Sequence, residues 1–234
     1  RTKIVVFYPQ DGVSDVQKLQ MTSQAGKNVF VSAVSGNFDD AQTGVKSIFG
    51  NEEFARKLTE RGWFLSSANS INWGRLLPQI VYYFSAYCEA VNARKIKLGD
   101  KMNFVVPTGN FGDILAGWYA KQMGLPVKKL ICASNANNVL TDFIRTGAYN
   151  KNRPFYTTTS PSMDILVSSN LERLLYCLSG DDKLVASYME QLKTNGSYIV
   201  TEPLRQAVVK DFYAGCCDDG RTFESVRKMF EGKR

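Results

Sequence analysis

The sequence predicts an α/β protein of mainly parallel open sheets with flanking helices, ending in a helical C-terminal part. Three observations carry that reading. Strand-like and helix-like segments alternate through the first two-thirds of the chain. At 105–115 the stretch VVPTGNFGDIL turns abruptly from a β-branched run into a helical one. From about residue 150 the alternation stops, and leucines at helical spacing take over.

Residues 3–8 read as a strand and 14–23 as a helix with Ser14 as its N-cap. Residues 28–34 form a second strand. A helical stripe of Ala41, Val45, Ile48 and Phe49 follows over 39–49, then a short helix over 51–61. Next comes a long helix in which Leu76, Leu77, Ile80, Val81, Phe84, Tyr87, Cys88 and Val91 recur at three- and four-residue steps. Pro78 is tolerated near a helix start and costly deep inside, so the helix is placed to begin near Trp73 or Gly74. A strand over 102–106, a helix over 111–123, a strand over 127–133 and a helix over 138–146 continue the pattern. Gly147 closes the last of these on its C-terminal side. Residues 153–162, rich in Thr, Ser and Pro, read as an extended loop. The sets Leu171-Leu174-Leu175-Leu178 and Leu184-Tyr188-Leu192 mark helices, and 223–230 looks helical too.

At 234 residues, 44% hydrophobic and 22% charged, the chain can bury a core as one large α/β domain or two small ones. The net charge of +7 could favour an anionic partner, but Lys and Arg are scattered among acidic neighbours. Arg94-Lys95-Ile96-Lys97 and Lys128-Lys129 are the nearest things to a basic run, so solvated surface is favoured over a nucleic-acid partner. No apolar run is long enough to span a membrane. The five cysteines show no C-x-x-C spacing, which indicates neither a zinc site nor a disulfide framework and suits a reduced, cytoplasmic setting. Histidine is absent, so Ser-His and Cys-His nucleophiles are excluded for this stretch. Starting mid-strand, without an initiating Met, the sequence is expected to be a piece of a longer protein.

Ligands of open parallel sheets gather beyond the carboxyl ends of strands, and VVPTGNFGDIL is a turn of that kind. Gly109 and Gly112 lack Cβ atoms, so the backbone can bend and an anion can come close. The first N–H groups of the following helix carry the positive end of its dipole, which suits phosphate. The spacing matches neither G-x-G-x-x-G nor the P-loop, and the turn alone leaves a plain turn and an anion cradle both open. A second Gly-Asn-Phe, at Gly36-Asn37-Phe38, precedes Asp39-Asp40, whose carboxylates would repel phosphate; it reads as a cap and loop.

Ser66-Ser67-Ala68-Asn69-Ser70-Ile71-Asn72-Trp73-Gly74-Arg75 is the second candidate. Ser67, Asn69 and Asn72 can hydrogen-bond an anion or carboxylate, and Arg75 can do so through its fork. A capped loop with a surface Arg is the plainer reading. The acid pairs Glu52-Glu53, Asp181-Asp182 and Asp218-Asp219 read as solvated, the three tryptophans as packing, and no lysine is marked out for covalent chemistry.

Taken together, the two loops resemble a family. SSANSINWGRLLPQIVYYFSAY at 66–87, followed by VVPTGNFGDILAGWYAKQMGLPVKKLICASN at 105–135, resembles threonine synthase. KIVVFYP, DFIRTGAY and PSMDILVSSNLERLL agree with it, and the similarity runs from Lys3 to about Leu192. The resemblance implies a pyridoxal-phosphate enzyme of the tryptophan-synthase-β-like fold, fold type II. It implies that Gly109, Asn110, Phe111, Gly112 and Asp113 hold the phosphate of pyridoxal 5′-phosphate through backbone N–H groups. Ser67, Asn69, Asn72 and Arg75 would bind O-phosphohomoserine, which is converted with water to threonine and phosphate. Residues 1–66 would belong to a smaller α/β domain, 67–150 to the cofactor-phosphate part of a larger one, and 151–234 to a loop and mostly helical region. A monomer or homodimer is expected for the parent, with no nucleic acid or membrane partner.

The departures from the family pattern matter equally. The family's Schiff-base lysine lies in a motif like His-Gly-Pro-Thr-x-x-Phe-Lys-Asp, which this chain lacks. Its Ser-Gly-Asp-Thr-Gly loop would fall before Arg1, and its late Thr-Ala-His segment is absent as well. The chain therefore looks like the central part of such an enzyme, expected alone to be inactive and to retain cofactor weakly. A threonine-synthase-like phospho-lyase, a non-catalytic binding or signalling protein of the same fold, and a phosphate-binding Rossmann-like module are the rival readings.

Overall fold

The computed structural model describes residues 2–10, 13, 15–36, 38–66, 70 and 72–232, without the side chains of 38, 39, 42 and 43. Ser14, Asn37, Ser67 and Asn69 lie outside the described residues. The chain divides into two compact units, Arg1–Ser66 and Ser67–Arg234.

In the first unit, β1 (Ile4–Pro9) pairs in parallel with β2 (Val29–Val34), in register from Ile4↔Val29 to Pro9↔Val34. Helix α1 (Asp15–Thr22) lies between them in sequence, the βαβ connection that a parallel pair requires. Helices α2 (Phe38–Phe49) and α3 (Glu52–Thr59) follow. Asn51 caps α3, its Oδ1 accepting the Phe54 N–H at 2.9 Å, and the Glu53–Lys57 ion pair adds an i,i+4 contact on the surface. Lys3 Nζ sits 5.1 Å from the centre of the Trp63 ring.

The second unit opens with α4 (Trp73–Leu76), a 3₁₀ turn over Leu77–Gln79 and α5 (Ile80–Asn92). The single long helix expected from the hydrophobic stripe is therefore broken at Pro78. Proline supplies no N–H and its ring crowds the carbonyl four residues back, so the chain tightens into a 3₁₀ turn there. Strand β3 (Met102–Pro107), helix α6 (Gly112–Gln122) and strand β4 (Val127–Ser134) come next. They are followed by α7 (Val139–Thr146), β5 (Ala148–Asn150), a 3₁₀ turn over Pro161–Met163, α8 (Leu171–Ser179) and α9 (Asp182–Thr194). The chain closes with β6 (Ser197–Ile199), α10 (Glu202–Asp211), β7 (Phe212–Cys216) and α11 (Asp219–Glu231).

Strands β3, β4 and β7 form a parallel sheet in that order, and β5 pairs antiparallel with β6. The sequence reading contains neither α10 nor the strands β5, β6 and β7. Strand β7 is FYAGC, five residues directly after a helix, with no alternation to announce it. Because the main sheet is parallel, the loops after Pro107, Ser134 and Cys216 all emerge at one end of it.

Helix α6 explains why the sheet holds together. Ile114, Leu115, Ala116, Gly117, Trp118 and Ala120 are all buried, so apolar and small residues surround the helix instead of striping it. A Cβ on Gly117 would come within 2.6 Å of the Tyr83 ring and 2.8 Å of a Leu130 methyl carbon, so the missing side chain sets how closely α5, α6 and β4 approach. The polar end of the helix is tied down separately. Trp118 Nε1 donates to Asp211 Oδ2 at 3.0 Å, and Lys121 Nζ meets Asp211 Oδ1 at 2.7 Å. At the end of α7, Gly147 takes φ 79° and its N–H closes on Phe143 O at 2.7 Å, the C-terminal cap expected there.

Replacing Gly117 with Ala should lower stability by about 1–3 kcal/mol through overpacking. Urea unfolding should show the midpoint falling with its slope unchanged; an unmoved midpoint would mean that α5 and α6 separate freely.

Candidate functional site

The stretch between β3 and α6 is built from the backbone outward. Thr108 is buried; its N–H bonds to Ala133 O at 2.8 Å and its hydroxyl to Val106 O at 2.6 Å, which aligns the end of β3 with β4. Gly109 and Asn110 are half-buried, and Phe111 is 1% exposed. Phe111 is left-handed, at φ 63° and ψ 6°, and stands at the N-cap of α6 with no side-chain capping bond of its own. Asn110 Oδ1 accepts the Gly112 N–H at 3.0 Å instead. Among the described residues, no acceptor meets the N–H groups of Asn110, Phe111 or Asp113. Unpaired donors at the positive end of a buried helix can hold an anion.

The bend falls on a different residue from the one the glycines suggest. Neither Gly109 nor Gly112 has positive φ; the left-handed residue is Phe111. A bulky side chain there costs about 1–2 kcal/mol in the backbone. Phe111 offsets this by full burial, with its ring 5.5 Å from that of Phe212 on β7. The glycines serve close approach by the protein itself. A Cβ on Gly109 would lie 2.5 Å from Ser162 O, and one on Gly112 would lie 2.5 Å from Ser70 Oγ.

That second contact brings the two candidate loops together. Ser70 belongs to the SANSIN stretch, and two residues that the sequence reading left unassigned hold it there. Asn170, fully buried, donates from Nδ2 to Ser70 Oγ at 3.2 Å and to Asn110 O at 3.0 Å, while its backbone N–H donates to Asn110 O at 3.1 Å. Arg173 Nη1 donates to Ser70 O at 3.0 Å and to Asn170 Oδ1 at 2.8 Å. Ser168 Oγ donates to Gly109 O at 2.9 Å. Of the residues expected to face the substrate, Asn72 is the N-cap of α4, its Oδ1 accepting the Gly74 N–H at 3.0 Å, and Arg75 is exposed on the same helix.

A second polar cluster lies beyond β4. The Asp164 carboxylate accepts from Asn135 Nδ2 at 2.6 Å, Asn137 Nδ2 at 3.1 Å, Thr158 Oγ1 at 2.8 Å and Thr158 N at 2.9 Å. These bonds fold the 153–164 loop back over the strand ends and bring Ser162 O against Gly109. The crowding of Asn, Ser and Asp in SNANN and PSMDILVSSN was the available signal; without partners in view, it did not distinguish a cluster from a solvated loop.

Charge at the turn is restrained. Burial raises the Asp113 carboxyl above the usual carboxylate range, and the hydrogen bond from Tyr83 works against that rise. Tyr83 donates to Asp113 O at 2.8 Å and lies 3.3 Å from Asp113 Oδ1. Its hydroxyl is itself held far above the ordinary phenol value, first by burial and then by the Asp113 carboxylate. Among the described residues no group of His, Cys, Asp and Glu could hold a metal ion. A cavity of about 500 Å³ is lined by Trp73, Tyr119, Arg173, Tyr176, Cys177 and neighbours on α8 and α9, and no residue of 108–113 lines it.

No family model matches the chain. Threonine synthase-like 1 of Macaca fascicularis is 45% identical over 233 residues, which is 98% of this chain and 31% of that protein. The crystal structure of threonine synthase from yeast superimposes with a TM-score of 0.85 at 39% identity, over 98% of this chain and 45% of that one. The PLP-bound threonine synthase from Brucella melitensis gives a TM-score of 0.81 at 43% identity, over 94% of this chain and 46% of that one. The chain thus spans less than half the length of each of these relatives. Across nearly all of its own length, in sequence and in its α/β fold, it is homologous to the corresponding part of threonine synthases and threonine synthase-like proteins.

Proposed function

We propose that this chain carries the cofactor-phosphate cradle and the substrate-side loop of a threonine-synthase-type lyase. In that reading the whole protein converts O-phosphohomoserine and water to threonine and phosphate, with pyridoxal 5′-phosphate as cofactor. One observation carries it: the N–H groups of Asn110, Phe111 and Asp113 meet no acceptor among the described residues, at the start of a buried helix, in a chain 43% identical to a PLP-bound threonine synthase.

The residues present fit a phosphate monoester. Within Gly109, Asn110, Phe111, Gly112 and Asp113, the main-chain donors of Asn110, Phe111 and Asp113 would hold it, the Gly112 N–H being engaged by Asn110 Oδ1, and the half-buried setting strengthens each bond by excluding water. When bound, the cofactor supplies an electron sink for the carbanions needed to eliminate phosphate from the γ-carbon and add water at the β-carbon. The chain's own part is to bind and to orient. Ser67, Asn69, Asn72 and Arg75 are assigned to the anionic groups of the substrate, Arg75 through its guanidinium fork. The close approach of Ser70 to Gly112 supports that assignment. No residue of this chain is assigned as the Schiff-base lysine, so the chain alone is expected to bind the cofactor weakly and not to turn over. A phospho-lyase acting on a related phosphorylated amino acid is the second reading. It is favoured by the 45% identity to a threonine synthase-like protein, against 41% to the yeast threonine synthase.

Product analysis on the whole natural protein separates the two. Threonine and inorganic phosphate released from O-phosphohomoserine support the first reading; turnover of other phosphorylated amino acids only supports the second. On this chain, Gly109→Ala should weaken pyridoxal 5′-phosphate binding roughly tenfold, because a Cβ 2.5 Å from a backbone oxygen must displace the cradle. Binding of pyridoxal, which lacks the phosphate, should change little, and equal losses for both ligands would count against the assignment.

Asp113→Asn tests whether the backbone does the binding. The folded-state pKa of Asp113 is raised, so its ionisation opposes folding. That penalty is absent below the ordinary carboxyl value and develops as pH rises through the folded-state value. At neutral pH the variant should be at least as stable as the parent and bind the phosphate equally or more tightly. A loss of affinity would instead give the carboxylate a direct role.

A further inference from the structure

Two peptide groups of the cradle are oriented from behind. The carbonyl of Gly109 accepts the Ser168 hydroxyl at 2.9 Å, and the carbonyl of Asn110 accepts both donors of Asn170, at 3.0 and 3.1 Å. No cis peptide bond occurs among the described residues. In a planar trans peptide the C=O of one residue and the N–H of the next point in opposite directions. Holding the Gly109 and Asn110 carbonyls against the start of α8 therefore turns the N–H groups of Asn110 and Phe111 away from it. Those are two of the donors that meet no acceptor among the described residues.

The anchors are themselves fixed. Ser168 is 7% exposed and Asn170 0% exposed. The Ser168 N–H donates to the Tyr149 hydroxyl at 2.8 Å, and that hydroxyl donates on to Leu166 O at 3.0 Å. Arg173 donates to Asn170 Oδ1 at 2.8 Å, which leaves the amide only one orientation: oxygen toward Arg173 and nitrogen toward Asn110 and Ser70. An amide turned the other way would set its oxygen against the Asn110 carbonyl and its NH₂ against a guanidinium.

We infer that Ser168 and Asn170 are positioning residues for the anion cradle, aiming the N–H groups of Asn110 and Phe111 at the bound phosphate without touching it. The inference rests on the cofactor-phosphate reading given above and adds what preorganises those donors. A loop free to flip these peptides would have to be ordered by each ligand; a loop held by buried side chains is ordered beforehand.

The test uses the ¹⁵N-labelled chain titrated with pyridoxal 5′-phosphate and, separately, with pyridoxal. In the parent, the amide signals of Asn110 and Phe111 should shift with the phosphorylated ligand and not with pyridoxal. Ser168→Ala should lower affinity for the phosphorylated ligand roughly tenfold and leave pyridoxal unchanged, and Ser168→Thr, which keeps the hydroxyl, should restore it. Asn170→Asp, which replaces a donor to the Asn110 carbonyl with an acceptor, should have the larger effect. Melting curves on each variant separate lost aim from lost fold, and the Ser168 series decides the matter if Asn170→Asp does not fold. If the parent responds at Asn110 and Phe111 while Ser168→Ala binds like the parent, the positioning role is wrong and the cradle stands. If the parent amides over 109–113 do not respond, the cradle reading fails and this inference falls with it.

Discussion

Much of the second unit depends on one close approach, that of Ser70 to the bare backbone of Gly112. A single methyl group on Gly112 would stand 2.5 Å from the Ser70 hydroxyl oxygen and 2.8 Å from its Cβ, so Ser70 could not lie against the start of α6. Asn170 then reaches both Ser70 and the Asn110 carbonyl, and Arg173 reaches Ser70 O and Asn170 Oδ1, joining residues a hundred apart in the chain. The same loop is pressed from its other side, where Ser162 O lies against Gly109 under the control of the Asp164 cluster. Two glycines thus act as contact points for three segments. Their value is the space they leave, since neither occupies a left-handed conformation.

The energetic centre lies one turn further along α6. A helix with Ile114, Leu115, Ala116, Gly117, Trp118 and Ala120 all buried contributes core on every side, which is unusual for a helix flanking a sheet. Its burial removes water from around its first turn, where the dipole then acts in a lower dielectric. The left-handed Phe111 belongs to the same economy of position. Its ring enters the core against Phe212, so the hydrophobic gain of full burial holds a backbone conformation that an exposed phenylalanine would leave. A strand near the end of the chain thereby helps to hold a turn in its middle.

Several elements were legible because their signals are local. The alternation of β-branched runs with helical stripes anticipated β1 to β4 and the helices between them, since β-branched and aromatic residues favour strands and apolar residues at three- and four-residue steps mark a helix face. Gly147 was readable as a cap because a left-handed C-terminal position favours glycine wherever it occurs. The sequence places Pro78 near the start of one long helix, and the structure shows an interruption there: the stripe continues through it, and only the hydrogen-bonding pattern reveals the 3₁₀ turn. Strand β7 was invisible, because FYAGC acquires its identity from pairing with β4 and not from its own composition.

The sequence by itself determined the alternating order of elements, the strand-to-helix turn with its unpaired donors, and the resemblance that names a phosphate as the group to be held. The order and the turn follow from local propensity and from the spacing of residues along one stretch; the phosphate is what the resemblance implies. Which residues orient the turn was decided only by tertiary structure. Ser168, Asn170 and Arg173 lie some sixty residues or more from their partners and carry no periodic signature. A buried side-chain-to-carbonyl bond depends on where two backbones meet, and that meeting is set by the packing of α6, α8 and the strand ends together.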